Sequence, residues 1–399
     1  MPNESRQDLS LPFAKDITID GAGLLALPNL IDPHVHFRVP GMEDKEDWLH
    51  AAKAAFKGGI TTVFDMPNTK PATTTQERLY AKFRQIDGQL AEVGIPLKYK
   101  LFFGADKSNF QEIIKVKDEI VGIKVFMGAS TGDLLMDDES SLHAVYALAR
   151  AHGLIIALHA EDELIIRENS AKYANETDFR YHSVIRSPEA ALKAVDLVIK
   201  LTEIYQVPSY ILHVSTKGEL DAIKHAKERG LPIYAETCPH YLFLDESVYD
   251  TLQGRAKMNP PLRNKKDQEY LWQSLIGGVI DTIGSDHAPH GLNDKHQPLC
   301  KCPSGVPGIE TTLPLLLSAW RAGKITLSRI VELLHVNPTR IFGVPPSHDL
   351  ILVDIETYRV LSDEELATKC GWSPFSGMKL TGFPKYVYTD QKLFNCNEL

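Results

Sequence analysis

Short apolar, β-branched runs recur along the chain, each ending in polar residues and followed by an amphipathic helical stretch. The runs are Leu27 to Ile31, Ile60 to Asp65, Leu97 to Phe103, Val121 to Met127, Leu154 to His159, Ser209 to Val214, Pro232 to Thr237 and Asp281 to Asp286. Near-continuous apolar character suits parallel strands covered on both faces. Several intervening helices carry start and stop signals. Ser187-Pro188-Glu189 supplies an N-cap, a first-turn proline and an early acid, and the stretch from Gly218 to Arg229 stops at Gly230. Eight strands alternating with helices predict an α/β fold, a (β/α)8 barrel. An open doubly wound sheet shares the alternation, but no Gly-rich phosphate fingerprint follows the first strand. Asp16 to Leu27, Asp349 to Asp354 and Lys385 to Tyr388 read as strands of a small β unit built from both termini. The expected division is therefore 1–30 and 346–399 for that unit, with 31–345 for the barrel. Thr311 to Ala322 and Leu327 to His335, the latter capped by Thr326, close the barrel wall.

Barrel enzymes place their chemistry at the C-terminal strand ends. Strand one ends Asp32-Pro33-His34-Val35-His36, and residues two apart on extended chain point to the same side. Strand five ends in His159, strand six in His213 and strand eight in Asp286. Four imidazoles and a carboxylate from four strands converge on one face, a donor set suited to zinc or a similar divalent ion. His50, His143, His152, His225 and His335 fall in helical segments and receive no role.

Lys124 stands inside the fourth strand among apolar neighbours. A buried ammonium must be paired, neutralised or chemically changed. Either it reaches a partner carboxylate, or its amine takes up CO₂ as a carbamate able to bridge two metal ions. Arg38, two residues beyond His36, is suited to grip a carboxylate, and Asn68 follows strand two with both donor and acceptor capacity.

Composition narrows the partners. Over 399 residues, 43 Lys+Arg against 52 Asp+Glu give a net charge of −9, with no basic run to hold nucleic acid. No stretch reaches the ~18–20 apolar residues of a membrane helix. The polar start Met1-Pro2-Asn3-Glu4-Ser5-Arg6 lacks a signal peptide's apolar core. Five cysteines do not make a disulfide framework, so a cytoplasmic location is expected. Cys300 and Cys302, without further soft ligands, read as lid residues.

Asp32-Pro33-His34-Val35-His36-Phe37-Arg38, Asp65-Met66-Pro67-Asn68-Thr69 and Gly122-Ile123-Lys124-Val125-Phe126-Met127-Gly128 resemble dihydroorotases of the amidohydrolase superfamily. So do Leu158-His159-Ala160-Glu161, Leu212-His213-Val214-Ser215, Lys257 to Arg263 and Gly284 to His290, in order and over nearly the whole chain. Asn29 and Val39 depart from the family pattern without touching a candidate ligand. The resemblance implies two divalent metal ions, most readily Zn²⁺. His34, His36 and Asp286 would hold one, His159 and His213 the second, with carbamylated Lys124 and a hydroxide between them. It further implies reversible cyclisation of N-carbamoyl-L-aspartate to L-dihydroorotate, with Asp286 carrying the proton. Arg38, Asn68 and His290 would hold the substrate carboxylate, while Asn259 and Gly305 to Pro307 would meet the ring edge. The expected partner is a small anionic substrate, with a homodimer suggested by the family alone. The rival readings are a dihydropyrimidinase-, hydantoinase- or allantoinase-like hydrolase, whose usual substrates lack that carboxylate, and a non-catalytic barrel subunit.

Overall fold

The computed structural model describes residues 11–13, 17–19, 23–129 and 134–399. Its centre is an eight-stranded parallel sheet. The strands are β1 (Leu30–Val35), β2 (Ile60–Asp65), β3 (Lys98–Gly104), β4 (Gly122–Phe126), β5 (Ile156–His159), β6 (Ser209–Ile211), β7 (Ile233–Thr237) and β8 (Thr282–Ile283). Each pairs with the next in chain order. A parallel bridge between Val35 and His287 brings the two edges together just past β8, so the sheet curls into a nearly closed barrel. The expected (β/α)8 architecture is the one observed.

The wall helices begin where the capping residues stand. Ser187 caps Pro188–Tyr205, Thr216 forms a reciprocal capping box with Glu219 at the start of Lys217–Glu228, and Thr326 caps Leu327–Val331. Inside the barrel Ile31, Phe64, Met66, Phe102, Ala157 and Tyr210 form a core into which Phe342 packs. The Phe342 ring centroid lies 5.0 Å from that of Phe64 and 4.9 Å from that of Tyr210. Phe342 is half-buried, and its edge contacts with Phe64 and Tyr210 let this helix end cover the barrel core.

The first predicted strand is in fact two. Leu24–Pro28 pairs antiparallel with Leu350–Asp354, and only after Asn29 does β1 enter the barrel. Residues Phe383–Thr389 and Lys392–Asn395 complete this four-stranded terminal sheet. The last of these strands was not expected, because its short polar-flanked run carries little periodicity. Part of the strand expected from Asp16 onward lies outside the described residues. Among the described residues no helix is long and apolar enough to cross a membrane.

Candidate active site

The strand-end residues meet. His34, His36, Arg38, Asn68, Lys124, His159, His213, Asn259, Asp286 and Gly305 line one narrow cavity. The placing of His34 and Glu236 depends on Gly284, where a Cβ would stand 2.6 Å from Glu236 Oε2 and 2.8 Å from His34 Cβ. Arg38, His213 and Asp286 hold φ values of 66°, 41° and 47°. Non-glycine residues reach this left-handed region at a cost of about 1 kcal/mol or more each, a pattern typical of functional sites.

The hydrogen bonds fix which ring nitrogens face inward. His34 Nδ1 lies 2.8 Å from Glu236 Oε1 and His36 Nδ1 lies 2.7 Å from Asn68 Oδ1, so both Nδ1 atoms carry the proton. Their Nε2 lone pairs then face each other at 3.3 Å, with Asp286 Oδ1 3.2 Å from each. Three acceptors converging without a donor repel unless a cation or an added proton lies among them. Burial opposes that proton, but Asp286 and Glu236 outweigh it and push His34 up. Burial holds His36 down at about 3, leaving it neutral. At Asp286 burial works toward protonation, yet the neighbouring His34 and His36 keep the carboxyl far below the usual range.

A second convergence lies alongside. His159 Nε2 is 2.8 Å from Glu161 Oε2, which turns its Nδ1 acceptor toward His213 Nε2 at 2.9 Å. Glu161 also takes Arg186 Nε at 2.9 Å, and both members of this ion pair are buried. Lys124 completes the set. It is 1% exposed, its Nζ lies 4.4 Å from the centre of the Phe126 ring, and burial pulls its pKa to about 7. Among the described residues no carboxylate comes within ion-pair distance of it, so the partnered-lysine alternative finds no support. Four inward-facing imidazoles with a carboxylate and an amine fit divalent cations.

Arg38 is 2% exposed, donates Nε to Pro289 O at 3.2 Å, and sets Nη2 3.2 Å from His290 Nε2. Burial lowers its pKa to about 10, and no described carboxylate pairs with it. His290 is packed behind Arg38, with Nδ1 unpartnered among the described residues, as is Asn259 Oδ1 on the cavity wall. Asn68, expected to hold substrate, also orients His36. Pro307 borders a separate small void with His287, Gly308 and Trp372. Cys302 is buried, Cys300 is exposed, and all five cysteines are free.

Sequence reading missed Glu161, Arg186 and Glu236. Two of these had signals. Glu161 is two residues from His159, and Glu236 is a charge inside an apolar strand, the same signal that singled out Lys124.

Comparison with known proteins identifies the family. The amidohydrolase family profile matches residues 25–351. The chain is 34% identical over 392 residues to dihydroorotase of Methanosarcina acetivorans, covering 94% of this chain and 82% of that protein. It is 34% identical over 364 residues to dihydroorotase of Halobacterium salinarum, covering 88% and 82%. Among solved structures it resembles L-hydantoinase (dihydropyrimidinase) from Arthrobacter aurescens, with a TM-score of 0.88 and 28% identity over 94% of this chain and 86% of that one. Dihydropyrimidinase from Brevibacillus agri superposes with a TM-score of 0.85 and 28% identity over 96% and 88%. With the barrel, the strand-end histidines and these relatives in agreement, the chain belongs to the amidohydrolase family of hydrolases.

Proposed function

We propose that the chain is a dihydroorotase, catalysing the reversible closure of N-carbamoyl-L-aspartate to L-dihydroorotate. The observation that carries this reading is Arg38, a buried guanidinium at the cavity wall with no described carboxylate of its own. Dihydroorotate has a ring carboxylate to supply; dihydrouracil and hydantoin have none. The hydantoinase and dihydropyrimidinase structures share the fold, so the choice of substrate rests on this side chain. The relatives named dihydroorotase favour the same reading. A non-catalytic barrel would have no use for the full set His34, His36, Lys124, His159, His213 and Asp286 in one cavity.

Two divalent ions, most readily zinc, suit the donors: His34, His36 and Asp286 for one, His159 and His213 for the other. Lys124 would join them as a carbamate, its neutral amine adding to CO₂ with loss of one proton. Bound there, such ions would polarise the ring amide carbonyl and lower the pKa of the attacking water. The rest belongs to the chain's own groups. Arg38, with His290 behind it, receives the substrate carboxylate bidentately and fixes the ring's orientation. Asn68 presents a side-chain amide beside it, and Asn259 and Gly305 stand along the ring edge. In hydrolysis the ring C–N bond breaks as water oxygen bonds to the carbonyl carbon. Asp286, ionised beforehand, accepts the water's proton and returns it to the departing nitrogen. In cyclisation the protonated Asp286 assists loss of water. A soluble cytoplasmic enzyme, acting without nucleic acid or membrane and forming a homodimer, completes the reading.

The test is Arg38→Met. Turnover of dihydroorotate should fall at least 10³-fold in kcat/KM, the scale of losing a desolvated charge pair, with bound metal unchanged. Near-normal kcat/KM in that variant contradicts the assignment.

A further inference from the structure

The segment after β8 leaves the cavity wall at Ala288 and returns to it at Ser304 and Gly305. Two buried lysines hold it down. Lys295, 1% exposed, donates its three ammonium protons to Lys257 O at 2.9 Å, Pro303 O at 2.8 Å and Gly305 O at 2.8 Å. Lys257, 9% exposed, donates to Leu299 O at 2.8 Å and Cys302 O at 2.6 Å. Among the described residues neither ammonium has a carboxylate within ion-pair distance. Burying a cation against backbone carbonyls alone is expensive, and a neutral side chain would fill the space at less cost. The carbonyls it joins explain its presence. Lys257 O also accepts the Gly305 N–H at 2.9 Å, and Asn259, two residues on, stands on the same wall. Ser304 O lies 3.1 Å from His290 Nε2, which leads to Arg38. Gly305, at φ 134°, admits no side chain, since a Cβ would stand 2.4 Å from Ala288 O.

We propose that Lys295, seconded by Lys257, is a positioning residue that clamps residues 257–259 and 303–305 into one substrate-binding wall. The wall contacts the ring alike before and during reaction, so its loss weakens binding rather than chemistry. Lys295 touches no reacting atom. Trp372 packs nearby, its ring centre 5.9 Å from Nζ, and donates Nε1–H to His290 O at 2.8 Å, closing the clamp from outside.

The assignment rests on the proposed cyclic-amide hydrolysis but not on which amide. Kinetics are therefore measured with whichever of dihydroorotate, dihydrouracil and hydantoin the unaltered holoenzyme turns over. Failure with dihydroorotate counts against the dihydroorotase assignment alone. Lys295→Met should raise KM at least tenfold, keep kcat within about threefold and leave metal per chain unchanged. Lys295→Arg, which keeps the charge and donors, should recover part of the loss. Lys257→Met, which frees only the Leu299 and Cys302 carbonyls, should give a smaller rise in KM and serves where Lys295→Met does not fold. An unchanged KM in a folded variant, or a fall in kcat at constant KM, overturns the proposal. So does loss of folding in both methionine variants with no activity in Lys295→Arg, which would assign the lysines to the fold alone.

Discussion

Glu236 Oε1 lies 2.8 Å from His34 Nδ1, and that contact decides which nitrogen His34 turns toward Asp286. The same carboxylate takes the Tyr210 hydroxyl at 2.8 Å and the His213 N–H at 3.2 Å. Glutamine offers one acceptor oxygen and adds a donor, so it cannot serve all three. Glu236→Gln should weaken metal affinity by about 10- to 100-fold, measured by competition with a chelator. Unaltered affinity would show that the carboxylate does not orient the ring.

Lys124→Ala should abolish stable metal binding, because the amine that would become the bridging carbamate is gone. Short carboxylic acids, which mimic the two carbamate oxygens, should restore part of the metal content and activity. Full metal occupancy in the variant without added acid would count against the carbamate.

Lys82 and Asp65 form an ion pair with no solvent exposure on either side chain. Asp65 Oδ1 also accepts the Phe37 N–H at 2.8 Å, holding the backbone between His36 and Arg38. Lys82→Met strands the carboxylate and should cost about 3–5 kcal/mol in chemical denaturation. A loss below about 1 kcal/mol would mean that Asp65 finds another partner.

Glu310 is buried, and burial pushes its pKa up to about 7 although it accepts the N–H groups of Ala367 and Thr368. Between pH 4.5 and 7 the unfolded chain therefore binds fewer protons here than the folded one. Stability should fall as pH rises through that window, by about 3 kcal/mol from this group. Unfolding free energies from pH 4 to 8 check this, and Glu310→Gln should flatten the profile; a profile already flat in the unaltered protein contradicts it.

Strand-end chemistry was legible because it follows local rules. His34 and His36 share a side through the two-residue period, and His159, His213 and Asp286 each close an apolar run. What stayed hidden depends on distant partners. Nothing near Lys82 in a helical stretch announces Asp65, and Arg186 meets Glu161 only because the two helices after β5, Glu163–Lys172 and Tyr181–Ile185, bring the chain back to it. The Leu27–Ile31 run reads as one strand although Pro28-Asn29 interrupts it, and the change of sheet falls at that interruption, a local signal that the flanking leucines and isoleucine mask. Strand eight was expected to reach Asp286, yet its ladder stops at Ile283, and the aspartate sits beyond it in a left-handed turn. Beyond Ile283 the chain meets β1 through the Val35–His287 bridge and the Ser285 N–H on Asp32 Oδ1 rather than through a regular ladder.

The central claim is the substrate, and it is tested most directly by assaying the purified protein with dihydroorotate, dihydrouracil, hydantoin and allantoin side by side, with metal counted per chain. The account predicts turnover of dihydroorotate with kcat/KM at least a hundredfold above the other three and two divalent ions per chain. Preference for an amide without a carboxylate would contradict it, leaving Arg38 without the partner its burial requires.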